Sequence, residues 1–162
     1  MGQRDVSVAR EMAAPAERVW ASMTDLESMP RVLSGVDSVE VLTPGPFGVG
    51  TRWRETRRML GKSATEEMWV TVCDAPARYV TEADNSGMRY VAEFRLAEHT
   101  PGRTTVTMTF SARPQHGDKL PLVARLLGGL GAKAAAKAIA KDLADVAASV
   151  ERSPRGGGPD GA

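Results

Sequence analysis

At 162 residues, with 42% apolar and 25% charged side chains, the chain can bury one core and has no compositional reason for a second domain. A formal charge of +1 excludes the strong electrostatic footprint of a nucleic-acid binder. A single cysteine, Cys73, excludes an intrachain disulfide and a multi-cysteine metal site, and suits a reducing compartment.

The first element is a strand. Val6, Val8 and Met12 alternate with Ser7, Ala9 and Glu11, with Arg10 on the apolar side. Pro15 then suits the first turn of a helix, whose buried face is Val19, Trp20, Met23 and Leu26. A second short helix begins near Pro30, packs Val32 and Leu33, and ends at Ser34-Gly35. Six alternating runs follow: Val36–Leu42, Thr51–Leu60, Ser63–Cys73, Arg78–Ala83, Met88–Glu98 and Thr104–Arg113. The breaks between them are rich in Pro, Gly, Asp and Asn, so the pattern predicts an antiparallel meander with one face to cover.

Which side chains face inward follows from alternation. Arg52, Arg54 and Arg58 share one side of their strand, which should meet water, so Trp53, Glu55, Arg57 and Met59 point inward. A two-residue turn at Gly61-Lys62 sets Leu60 opposite Ser63, Trp53 opposite Val70, Glu55 opposite Met68 and Arg57 opposite Glu66. On the outer face it sets Trp69 opposite Arg54, beside Thr71 and Cys73. A three-residue loop at Thr100-Pro101-Gly102 sets Leu96 opposite Val106, Phe94 opposite Met108, Ala92 opposite Phe110 and Tyr90 opposite Ala112. The inner face is then largely apolar, with Trp53, Met59, Met68, Tyr90, Phe94, Met108 and Phe110, and carries Glu55, Arg57, Glu66 and Arg10. Inward charges must be paired, hydrated or used by a ligand; an Arg57–Glu66 pair near the wet end of the sheet is the structural expectation.

The last element is a helix from Leu120 to Glu151. Leu122, Leu126, Leu130, Ile139, Leu143, Val146 and Val150 form its apolar stripe, and alanines fill its middle. Two readings of the alanines stand side by side, close packing or room for a pocket. Gly128, Gly129 and Gly131 each cost about 1 kcal/mol relative to Ala inside a helix, which predicts a bend or break there. Lys133, Lys137 and Lys141 form a solvated face, with membrane contact the minor alternative. Residues 1–152 make one domain and the Gly- and Pro-rich 153–162 a tail without fixed structure. The first seven residues lack the apolar run of a secretory signal, Val6 stands where a myristoylation motif needs Ser or Thr, and no eighteen-residue apolar run is present. A cytoplasmic location follows as the expectation.

Four stretches in this order resemble the START/polyketide cyclase/birch-pollen-allergen superfamily, also called SRPBCC proteins. They are Ala14-Pro15-Ala16-Glu17-Arg18-Val19-Trp20, the segment from Met29-Pro30 to Val36, Gly50-Thr51-Arg52-Trp53 with its Leu60-Gly61 hairpin, and Lys141-Asp142-Leu143 with Val150-Glu151. The similarity covers about residues 3 to 151. It implies an α+β helix-grip fold, in which a seven-stranded curved antiparallel sheet, with two short helices after the first strand, wraps a long C-terminal helix around an apolar cavity. It also implies ligands such as lipids, sterols or polyketides, and in some members cyclisation or dehydration of a bound polyketide.

The residues themselves name no catalytic constellation. His99 and His116 have no companions at metal-ligand spacing, there is no phosphate loop or nucleophile elbow, and no metal or cofactor is called for. Three functional readings follow. The first is binding of an apolar small molecule by Trp53, Met59, Met68, Tyr90, Phe94, Met108, Phe110, Leu126 and Leu130. The second is a polyketide cyclase or dehydratase using Glu55, Arg57, Glu66 and Tyr90 for acid-base chemistry. The third is an interaction module using the outer face at Trp69. Oligomeric state is not legible.

Overall fold

The computed structural model describes residues 5–59, 61–115 and 128–152. Expectations on Leu60, His116, Leu126 and the tail 153–162 lie outside the described residues, as do the side chains of Met59 and Leu130. The order of elements is β1 (Val6–Met12), α1 (Ala16–Thr24), a 3-10 turn (Leu26–Ser28), α2 (Met29–Val32), β2 (Val36–Val41), β3 (Arg52–Met59), β4 (Lys62–Asp74), β5 (Arg78–Asn85), β6 (Met88–Thr100), β7 (Arg103–Pro114) and α3 (Gly128–Arg152). The seven strands form one antiparallel sheet in the order β1-β7-β6-β5-β4-β3-β2. This is the α+β helix-grip arrangement, with α3 laid across the concave face.

The stripe on α3 drives that packing. Ile139, Leu143, Val146, Ala147 and Val150 are buried with Met12, Val19, Met23, Val36, Leu96 and Val106 in the main core. Lys133, Lys137 and Lys141 are exposed on the opposite side. Gly128, Gly129 and Gly131 lie in the described part of α3, which runs as continuous helix through them, so the expected break is absent from these residues.

The link from β1 to α1 is fastened by side chains from three other elements. Glu151 on α3 accepts from the Ala13 amide at 2.9 Å, Glu98 on β6 accepts from the Ala16 amide at 2.5 Å, and Thr104 on β7 donates to the Ala14 carbonyl at 2.8 Å. Pro15 is extended and its carbonyl accepts from the Arg18 and Val19 amides, opening the helix.

Register differs from expectation in two places. The hairpin of β3 and β4 closes at Met59 opposite Lys62, so Trp53 faces Met68, Glu55 faces Glu66, Arg57 faces Ala64 and Arg52 faces Trp69. Gly61, at φ 76°, takes the second place of the turn closed by Met59 and Lys62, and not the first; the positive φ is one that glycine adopts without strain. The slip is two residues, so every side chain keeps its face while its partner changes. Further along β4, a bulge between Val70 and Val72 reverses the alternation. Cys73 consequently lies opposite Tyr79 and packs against the Leu26, Trp53 and Val70 cluster, and does not share the outer face with Trp69. The β6–β7 hairpin pairs Leu96 with Val106, Phe94 with Met108, Ala92 with Phe110 and Tyr90 with Ala112 as expected, but its turn is two residues, with Thr100 opposite Arg103, and a bulge between Glu98 and Thr100 makes up the residue by which it is shorter than the expected loop. Arg10 pairs with Val106 on the edge strand β1 but its side chain is exposed, so it adds no charge to the inner face.

Thr104 is fully buried and its hydroxyl satisfies the Ala14 carbonyl. Thr104→Val keeps the shape and orphans that carbonyl, which should cost about 1–3 kcal/mol in urea unfolding with an unchanged denaturant slope. A change within experimental error would show that this tie does not hold α1 in place.

Candidate functional site

Between the concave sheet and α3 lies a cavity of about 260 Å³. Its aromatic wall is contributed by five segments: Phe47 from the β2–β3 loop, Trp53 from β3, Tyr79 from β5, Phe94 from β6 and Phe110 from β7. Tyr79 stacks on Phe94 with centroids 4.5 Å apart, and Phe47 meets Tyr79 edge-on at 5.2 Å. Met23, Met29, Met68 and Met108 fill between the rings, and their flexible thioethers fit irregular space. The helix closes the cavity with Ala135, Ala138, Ile139 and Val146. Where a Leu would reach the sheet, Ala135 and Ala138 leave room, so the alanines at these positions border open space.

One end of this cavity is polar. Glu55 and Arg57 reach it from β3 and Asp142 from α3. Glu55 is 4% exposed; its Oε1 accepts from Arg57 Nε and its Oε2 from Trp53 Nε1 at 3.3 Å. On its other side Arg57 donates Nη2 to Asp142 Oδ2 at 2.7 Å and Nη1 to Asp142 Oδ1 at 3.3 Å. Gly35 lies against this pair: a methyl group built on it would come within 3.5 Å of Arg57 Nη1. Nearby, Asp145 Oδ2 accepts from the Ser34 amide and hydroxyl, tying α3 to the end of α2.

The charges respond to one another. Burial by itself would lower the Arg57 pKa, but Glu55 and then Asp142 overcome it and hold the guanidinium firmly charged. Burial raises the Asp142 carboxyl above its ordinary value despite Arg57, with repulsion from Glu55 and Asp145 adding to it. Two carboxylates share one cation, and the shortfall falls on Asp142. Burial, then Glu55, pushes the Tyr79 hydroxyl well above its usual range.

Of the residues singled out by sequence, Trp53, Met68, Phe94, Met108, Phe110, Glu55, Arg57 and Glu66 line the cavity. Tyr90 does not: it stacks on Phe110 with centroids 5.7 Å apart, and burial and then Glu66 raise its hydroxyl pKa. The expected Arg57–Glu66 pair is replaced by Arg57 with Glu55 and Asp142, because the two-residue slip sets Glu66 opposite Glu55 and beside Asn85, which donates to it at 3.1 Å. Asp142, Tyr79 and Phe47 also line the cavity, and the sequence pattern does not mark them as site residues. Asp142 reads as part of a charged helix face, the inward side of β5 is hidden by the bulge on β4, and Phe47 sits in a Pro- and Gly-rich turn. On the outer face, Trp69 is half-buried under Arg52, 4.9 Å from the ring centroid, and Arg89, at 5.7 Å, so it stacks within its own sheet on Arg52 and not on Arg54. His99 is exposed. Among the described residues no three His, Cys, Asp or Glu side chains gather to hold a metal ion, and no helix is long and apolar enough to cross a membrane.

Arg57→Met leaves Glu55 and Asp142 facing each other without a cation. The expected loss is about 3–5 kcal/mol of unfolding free energy at neutral pH, because a buried charge pair has been broken from one side. In the variant the Asp142 carboxyl, already raised by burial, loses the cation that lowers it, so stability falls as pH rises from its unfolded toward its folded pKa and is regained on acidification. Chemical denaturation at neutral and at mildly acidic pH measures this, and an equal loss at both would show that the network is not under charge stress.

The fold has close counterparts among solved structures. An aromatase/cyclase from a Streptomyces species superposes with a TM-score of 0.79 at 20% identity, over 97% of this chain and 100% of that one. A Thermus thermophilus protein gives 0.76 at 23% identity, covering 91% and 97%. A START superfamily protein from Mycobacterium smegmatis gives 0.75 at 18% identity, covering 93% and 98%. Among curated proteins none matches the sequence significantly. The family model described as polyketide cyclase / dehydrase and lipid transport matches residues 3–151, and the chain therefore belongs to that family, within the SRPBCC superfamily.

Proposed function

We propose that the protein binds an apolar small molecule, of the lipid or polyketide kind, in the cavity between the sheet and α3. The observation that carries this reading is a space of about 260 Å³ bounded by five aromatic rings and four methionines, with polar groups gathered at one end. That is the usual form of a small-molecule site, in which apolar walls supply affinity and a few polar groups set orientation. The rings favour a flat or aromatic ligand.

An enzymatic version of the same site has its own support. Asp142, raised by burial, is a carboxyl whose proton is held above the usual carboxylate range, and it hydrogen-bonds a guanidinium that stays charged. A group that exchanges a proton beside a fixed cation is what enolisation of a bound poly-β-ketone needs. The structural likeness to an aromatase/cyclase agrees with that chemistry.

Two experiments separate the readings. Titration with an apolar fluorophore should quench Trp53 emission and saturate, and Ala138→Phe, which puts a ring into the cavity, should weaken binding by about tenfold or more while the fold is retained by circular dichroism. Saturable binding unaffected by Ala138→Phe would place the ligand elsewhere. If the site is also catalytic, purified protein converts a reactive poly-β-ketone and Asp142→Asn loses turnover while still binding the fluorophore. Unchanged substrate in the presence of wild-type protein leaves the binding reading alone standing.

A further inference from the structure

The polar end of the cavity is rich in acceptors and poor in free donors. Among the described residues lining it, three carboxylates, Glu55, Glu66 and Asp142, face one cation, Arg57. Three of that cation's five N–H groups are engaged, Nε with Glu55 and Nη1 and Nη2 with Asp142, its charge is shared between those two carboxylates, and Gly35 packs against Nη1. The Trp53 indole N–H is also spent, on Glu55. The hydroxyls of Ser22, Thr81 and Tyr79 donate or accept equally well and do not discriminate. An incoming carboxylate or phosphate would thus lose its water and meet like charge, with no free cation among the described side chains to receive it. A hydroxyl or ammonium group would meet acceptors with lone pairs to offer.

Resting on the ligand-binding reading above, we propose that this cavity selects aromatic or apolar ligands whose polar end donates hydrogen bonds, as a phenol or an ammonium does, and rejects ligands ending in a carboxylate. The discrimination works mainly by repulsion: like charges forced together in a site of low dielectric disfavour the wrong ligand more strongly than any one contact favours the right one. Glu66 is the carboxylate through which this is adjustable, because it is half-buried, is held by Asn85, and takes no part in the Arg57 network.

Four probes that share a naphthalene ring and differ in one substituent test this by calorimetric titration of the full chain near neutral pH and at low salt. The substituents are hydroxyl, methoxy, aminomethyl and carboxylate. The hydroxyl and aminomethyl compounds should bind about tenfold or more tighter than the carboxylate, and the methoxy compound more weakly than the hydroxyl. Glu66→Gln should narrow the ratio between the aminomethyl and carboxylate probes by threefold or more, roughly the effect of removing one partly screened charge. The wild-type order decides the matter even if that variant fails to fold. Equal binding of all four, or tightest binding of the carboxylate, overturns the inference and leaves the ligand-binding reading intact. Binding of none removes both.

Discussion

A single guanidinium holds the helix to the sheet where the two stand apart. Arg57 is 26% exposed, between Glu55 at 4% and Asp142 at 18%, and it joins β3 to α3 across 85 residues of sequence. Each carboxylate would be costly to bury alone, and the cation would be costly without them. The three therefore stabilise the folded state only as a set, and that requirement fixes how far α3 sits from β3. Ser34 on Asp145 repeats the arrangement one turn further along the helix, and Glu151 on the Ala13 amide fastens its far end.

Those ties explain how an internal space survives. A space of about 260 Å³ leaves the side chains that border it without packing partners on one side, which costs stability relative to a filled core. Collapse of α3 onto the sheet would recover part of that. It would also displace Asp142 from Arg57 and Asp145 from Ser34, stranding charges in a place that water reaches poorly. Ala135 and Ala138 keep the helix surface low over the space, while Ile139, Leu143 and Val146, on the same stripe, close the core beside it. The helix is thus packed along one side and propped on the other by the Arg57–Asp142 ion pair and the Ser34–Asp145 hydrogen bonds.

The parts of this that local chemistry determines were legible in the sequence, and those that depend on distant partners were not. Strand and helix positions follow from alternation and from Pro and Gly, and the β6–β7 partners come out as expected because a bulge between Glu98 and Thr100 offsets a turn one residue shorter than the sequence suggests. The inward direction of Trp53, Glu55 and Arg57 follows from parity, which a two-residue slip preserves. Their partners do not follow. Whether Gly61 takes the first or second place in its turn decides whether Arg57 faces Glu66 or Ala64, and a single sequence does not distinguish the two. The bulge at Val70 and Val72 carries no residue signature, yet it turns Cys73 inward, opposite the cavity-facing Tyr79. Asp142 looks like one more charge on a charged helix until α3 is laid on β3.

The asymmetry of the cavity links stability to recognition. Its apolar walls come from side chains that also build the main core, and its polar end from groups that hold the helix, so most of what would face a ligand is also needed for folding. Changing Glu55, Arg57 or Asp142 alters a ligand's surroundings and the helix-to-sheet spacing together. Glu66 is different. It stands opposite Glu55 on the neighbouring strand, contributes a like charge that the fold does not require there, and is steadied by Asn85 at the end of β5. Like charges directly across a strand pair disfavour each other, and with Glu55 tied to Arg57, Glu66 is the carboxylate on the cavity wall that has no ion pair among the described residues.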